Sequence, residues 1–211
     1  MSAFLGKIHY WLFNKILWFE NLEENIILFA QIEGLDITSI KRELEYKFGK
    51  KLENKNLEEI IDLDNIHGWL QNRIHISEKR MASWIKAISE NGKESMEKLE
   101  KIFKEQGVIA AKEAKKEKEY TNAFEIYNCI NNYILDGMPC DRVNVLTTSD
   151  DNIVVWERRV CVHKEIWENE GVDVQTFYNL RDLWIKSFVE ELNPKFEYVV
   201  ENDGKYKIVL K

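Results

Sequence analysis

The sequence is poor in the residues that break regular structure. Two prolines and nine glycines in 211 residues leave little room for a disordered or loop-dominated chain. It is also short of positive charge: 30 Lys and Arg against 37 Asp and Glu give a net charge of −7. Such a surface repels a phosphate backbone unless its cations cluster. The densest basic stretch, 112–118, interleaves its lysines with Glu113 and Glu117, the pattern of a solvated helix face. No nucleic-acid partner is expected. Cysteine is scarce and odd in number. Cys129, Cys140 and Cys161 have no metal-type spacing, which reads as free thiols in a reducing cytoplasm. The apolar run at 10–19 is interrupted by Asn14 and Lys15 and leads to no cleavage signature, so neither a signal peptide nor a membrane span is expected. Phosphate loops, dinucleotide fingerprints and standard zinc spacings are missing too. The sequence therefore names no cofactor and no metal.

What is present is core material and a repeat. Hydrophobic residues make up 45% of the chain and seven are tryptophan, enough to bury large aromatic surfaces. Residues 7–16 read KIHYWLFNKI and residues 65–74 read NIHGWLQNRI. At a constant offset of 58, Ile8, His9, Trp11, Leu12, Asn14 and Ile16 recur as Ile66, His67, Trp69, Leu70, Asn72 and Ile74. Glu20 matches Glu78, and Gly34 matches Gly92 where a helix would end. Each copy predicts a long helix, over 5–33 and 58–91, then a glycine and a second helix. Gly49 and Gly107 lie near the expected ends of those second helices. The repeats, 5–48 and 58–106, form duplicated helical hairpins with pseudo-two-fold symmetry in an expected segment 1–118.

Eleven residues is close to three helical turns, so His9 and Glu20 share a stripe, as do His67 and Glu78. If the long helices pack antiparallel, His9 meets Glu78 and His67 meets Glu20. Two readings stay open. The pairs are structural and fix helix register, or the two His and two Glu form a metal or ligand site, with the repeated Asn14 and Asn72 as further ligand-binding candidates. Neither copy carries the ExxH motif of di-iron proteins. The run Trp69–Arg73 resembles a homeodomain recognition helix, but the residues after it lack the basic stretch that DNA contact needs.

Beyond residue 119 the pattern changes. Residues 120–135 predict an amphipathic helix, broken by Asp136, Gly137, Met138 and Pro139. Residues 143–148 and 153–162 read as strands around a turn at 149–152, a helix follows over about 173–192, and 196–200 and 206–210 form a second hairpin about Asn202, Asp203 and Gly204. The fold class is thus α+β: the N-terminal helical hairpins, plus a C-terminal domain, 119–211, with a four-stranded antiparallel sheet (ββαββ) covered by helices.

In that domain Cys161 and His163 are two apart and on a strand would share a face. A thiol beside an imidazole can serve as a nucleophile pair, with Cys140 as a neighbour. The alternative is an inert packed thiol and an exposed histidine. The segment 137–211 resembles the C-terminal part of L-2-amino-thiazoline-4-carboxylic acid hydrolase-like proteins and, more distantly, vinyl-reductase ligand-binding domains. The resemblance is carried by the Cys161 segment, the Asp182 helix, Leu192-Asn193-Pro194 and the closing hairpin. The last strand has Lys207, Ile208 and Val209 where that family is expected to place a cysteine. The resemblance implies a small-molecule pocket between sheet and helices. The expected function is a cytoplasmic small-molecule-binding protein, as a hydrolase acting on a C–N bond. The competing expectation is a non-enzymatic helical module that self-associates as a homodimer.

Overall fold

A computed structural model describes residues 4–201 and 204–211. Among them the chain forms helices α1 (Lys7–Ile32), α2 (Ile37–Phe48), α3 (Leu57–Ile60), α4 (Ile66–Ser89), α5 (Lys93–Ala114), α6 (Ala123–Ile130), α7 (Lys164–Asn169) and α8 (Val174–Leu192). The strands are β1 (Asn144–Ser149), β2 (Ile153–Arg158), β3 (Phe196–Val200) and β4 (Lys205–Leu210). The expected α+β class is what is observed. None of the helices is long and apolar enough to cross a membrane.

The helix starts follow local chemistry. Asp36, Asn65, Asn122 and Asp173 each place a side-chain oxygen on a free amide of the first turn. Asn65 begins α4 eight residues later than expected, because the caps at 61–65 interrupt the helix that 58–91 predicts. Gly34, Gly49 and Gly92 all take positive φ at helix ends, the backbone form that favours glycine. Gly107 does not end a helix. It lies inside α5, where a Cβ would run into the backbone of Trp184 on α8. It is a close-approach glycine, and the small residues Ala110, Ala111 and Ala114 continue that buried stripe.

The two long helices run parallel, not antiparallel. Their contacts keep nearly the offset of the motif: His9 meets His67, Glu20 meets Ser77, and Glu23 meets Arg80. The return path is α2, the segment 49–56 and α3. Each copy is a long helix, a glycine turn and a second helix, but the second helices have 12 and 22 residues. The longer one, α5, packs along α8.

In the sheet, the order is β1-β2-β4-β3 and every neighbour is antiparallel. Val154, Trp156, Phe196, Tyr198, Tyr206 and Ile208 alternate onto the helix-facing side. Strand β2 stops at Arg158, four residues short of the expected 162. The chain then turns into α7, an element that the ββαββ expectation lacks. The expected helix over 120–135 is the shorter α6, closed where Asn131 turns its side chain back onto the Tyr127 carbonyl. Asn202 and Asp203 of the second turn lie outside the described residues; beside them, the Glu201 amide donates to the Lys205 carbonyl. One apolar core runs from Leu22 and Ile26 through Trp84, Phe103 and Ile126 to Phe188 and Ile208, crossing residue 118 without a break.

Candidate active site at a buried ionic chain

The most unusual feature of this core is a row of charges inside it. His163, just before α7, is fully buried. Its Nδ1 lies 2.9 Å from Glu78 Oε2 of α4, and its Nε2 lies 3.0 Å from Asp136 Oδ1. Asp136 accepts from both terminal nitrogens of Arg181 on α8, and its Oδ2 also accepts from Asn144 Nδ2 at 2.8 Å. Trp167 Nε1 donates to the same Glu78 oxygen at 3.1 Å. Glu78, His163, Asp136 and Arg181 thus alternate in sign and sum to zero.

Such charges survive burial only if paired. Burial by itself would push the imidazole toward its neutral form. The charge of Glu78 and the hydrogen bonds to both carboxylates outweigh that and raise its pKa to about 9. His163 is therefore an imidazolium at neutral pH, donating from both nitrogens. Asp136 is held well below the usual carboxylate range: burial acts against this, and Arg181 and His163 overcome it.

Cys161 and His163 do not share a strand face, because β2 has ended. Cys161 is exposed while His163 is buried. With both nitrogens occupied, His163 is not placed to shuttle a proton from the thiol. Cys161 has another partner, Tyr178 Oη of α8, 3.0 Å from its sulfur. Partial burial raises the thiol pKa, but the Tyr178 hydroxyl, the amides of His163 and Lys164 and the imidazolium charge lower it further, so the net shift is downward. Burial pushes the Tyr178 hydroxyl up, which makes it the donor of this bond. The Arg158 guanidinium lies over the face of that ring, 3.5 Å from its centroid.

Cys161 opens onto a cleft of about 250 Å³, lined also by Gln71, His75, Glu78 and Glu165. Glu78 is 1% exposed, and its second oxygen, Oε1, is buried with no hydrogen-bond partner. A thiol with a lowered pKa and a glutamate with one unsatisfied oxygen therefore line one space. Among the described residues no group of three His, Cys, Asp or Glu could hold a metal ion.

The chain matches no known family model, curated protein or solved structure.

The repeated residues fall elsewhere. His9 and His67 do meet, with Nε2 atoms 3.3 Å apart, and Gly6 N donates to His9 Nδ1. Neither reaches the other copy's glutamate. Parallel packing places matched residues level with each other, so Glu20 takes the Leu52 amide, Arg73 and Ser77, while Glu78 turns to α7. Asn14 and Asn72 are exposed. Cys140 is exposed in the turn Pro139–Asp141 and does not line the Cys161 cleft. Asp136, Arg181 and Tyr178 had no motif to mark them. The available signal was a lone Asp before Gly137, in a segment read only as a helix breaker.

Proposed function

We propose that the chain binds a small molecule bearing N–H groups in the Cys161 cleft and hydrolyses a C–N bond, with the Cys161 thiolate as nucleophile. The observation that carries this reading is that Cys161, a thiol with a lowered pKa, and Glu78, whose buried Oε1 has no donor, line the same cleft. A buried carboxylate oxygen lacking a donor is costly, and an amide or amidine nitrogen entering the cleft supplies one. The same contact sets the carbon of that group before the sulfur. The thiolate adds to the carbon, the C–N electron pair departs with nitrogen, which takes a proton from solvent, and water then releases the sulfur. Tyr178 donates to the sulfur, and His163 is a positioning residue that holds Glu78. The resemblance of 137–211 to L-2-amino-thiazoline-4-carboxylic acid hydrolase-like proteins points to the same bond class.

The test is the pH dependence of iodoacetamide alkylation, read at Cys161 by peptide mapping. Half-maximal rate is expected below the ordinary thiol value of about 8.5, rising toward it in Tyr178→Phe. Amine release from a panel of amides and amidines should disappear in Cys161→Ser. An alkylation midpoint at or above the ordinary value, in protein that is folded by circular dichroism, overturns the proposal.

A further inference from the structure

A second cleft, of about 190 Å³, lies beyond Gly137 and Met138, which also form a wall of the first. Lys15 of α1 reaches it, only 4% exposed. Among the described residues no acceptor hydrogen-bonds its Nζ, which sits 4.1 Å from the centroid of the Trp11 ring. The anion that acts on it, Asp136, is already shared by His163, Arg181 and Asn144. Asn144 also lines this cleft, and its Oδ1 is buried with no partner. At the rim stands Arg142, exposed, with φ of 48°; among the described residues it is the sole non-glycine with positive φ. Strain of that kind persists where the surrounding structure imposes it. Residues that carry an amine without an acceptor, an acceptor without a donor and an exposed guanidinium thus line one small space.

We propose that Lys15 forms an imine in this cleft with a small carbonyl compound that carries a carboxylate, a 2-oxo acid. The Nζ lone pair bonds to the carbonyl carbon, and the C=O π pair moves to oxygen, which takes one proton from the nitrogen. The resulting hydroxyl donates to Asn144 Oδ1. It then leaves as water with the second nitrogen proton, and C=N forms; nothing is oxidised or reduced. Arg142 takes the carboxylate. The amine must be neutral to attack. Burial lowers its pKa to about 8; among the charges facing it, Asp136 opposes this and Arg181 assists it. The inference is independent of the reading of the Cys161 cleft.

The test uses the full chain with pyruvate as probe and cyanoborohydride to trap the imine, followed by peptide mapping. Lys15 is expected to be labelled about tenfold or more faster than exposed lysines such as Lys47 and Lys93, given the larger neutral fraction of a lysine with a lowered pKa. That preference should vanish in urea. Lys15→Arg, which keeps the charge, should lose the label. Arg142→Gly, which relieves the positive φ, should slow labelling by pyruvate and leave labelling by propanal, which has no carboxylate, unchanged. Labelling of native Lys15 no faster than that of exposed lysines overturns the proposal. Equal pyruvate labelling in Arg142→Gly overturns the assignment of a carboxylate-bearing ligand.

Discussion

At the residue scale, His163 is held on every side. Its ring lies 4.7 Å from that of Phe177, and both nitrogens are spent on carboxylates. Its folded pKa of about 9 stands above the usual 6.5, so the folded state holds a proton that the unfolded chain releases first. The stabilisation is complete below about pH 6.5 and is lost as pH rises through about 9, a span worth roughly 3 kcal/mol. Lys15 acts in the opposite sense. Its folded pKa of about 8 lies below the usual 10.5, so its burial cost falls between those values as pH rises. The two effects separate below pH 8. Stability from urea unfolding should decline from pH 6.5 to 8 in the natural chain, and this slope should flatten in His163→Gln. An equal slope in both proteins would show that His163 does not carry the proton. On the acid side Asp136, lowered in the fold, contributes stability that is present above its usual pKa and lost as pH falls.

At the scale of elements, α5 and α8 cross in close contact. Gly107 lies against the Trp184 backbone, and Trp184 Nε1 donates to Gln106 Oε1 at 2.9 Å, which ties the two helices at that level. Gly107→Ala improves helix propensity by up to about 1 kcal/mol, yet the added methyl meets backbone, which cannot swing away as a side chain could. The expected net result is destabilisation of about 1–3 kcal/mol, read as a lower midpoint in urea. A neutral or stabilising substitution would mean that the helices can part without cost. The glycine was visible in the sequence and its purpose was not. A glycine near a helix end and a glycine at a crossing look alike until the partner helix is known. The same limit governs the long helices. The phase of His9, Glu20, His67 and Glu78 was legible from spacing alone, and all except the exposed rims of the His rings do turn inward or toward the other copy. Whether α1 and α4 run parallel or antiparallel depends on the path of 49–65, and short-range pattern does not encode it. Their direction decides every pairing: level packing gives His9 to His67 and leaves Glu78 for α7. Likewise Val160 and Val162 extend the β-rich pattern of β2, but the last strand pair is Asn144 with Arg158, and one further bond, from the Arg159 amide to the Val143 carbonyl, closes the ladder before them.

At the scale of the whole molecule, a boundary at 118 separates two composition regimes, but the contacts do not respect it. Glu78 belongs to the first segment and His163, Trp167 and Arg181 to the second. Phe103, Ala110 and Ala111 of α5 share a core with Ile185, Phe188 and Val189 of α8. A fragment ending at 118 would expose that face of α5 and leave Glu78 without either of its donors. Apolar area returned to water costs about 25 cal/mol per Å², and each buried residue of this stripe carries part of that loss. A free-standing fragment has little with which to offset it, since folded domains are stable by only about 5–15 kcal/mol in total. The expectation is therefore that 1–118 made alone retains helix by far-UV circular dichroism but melts without a cooperative transition, whereas the full chain unfolds in one step with coincident fluorescence and circular dichroism curves. Mixing 1–118 with 119–211 should restore the cooperative transition, because the α5–α8 crossing and the Glu78–His163 bond reform together. A sharp, independent melt of 1–118 would show that the helical half is a separate folding unit, and the buried ionic chain would then be a joint between two bodies.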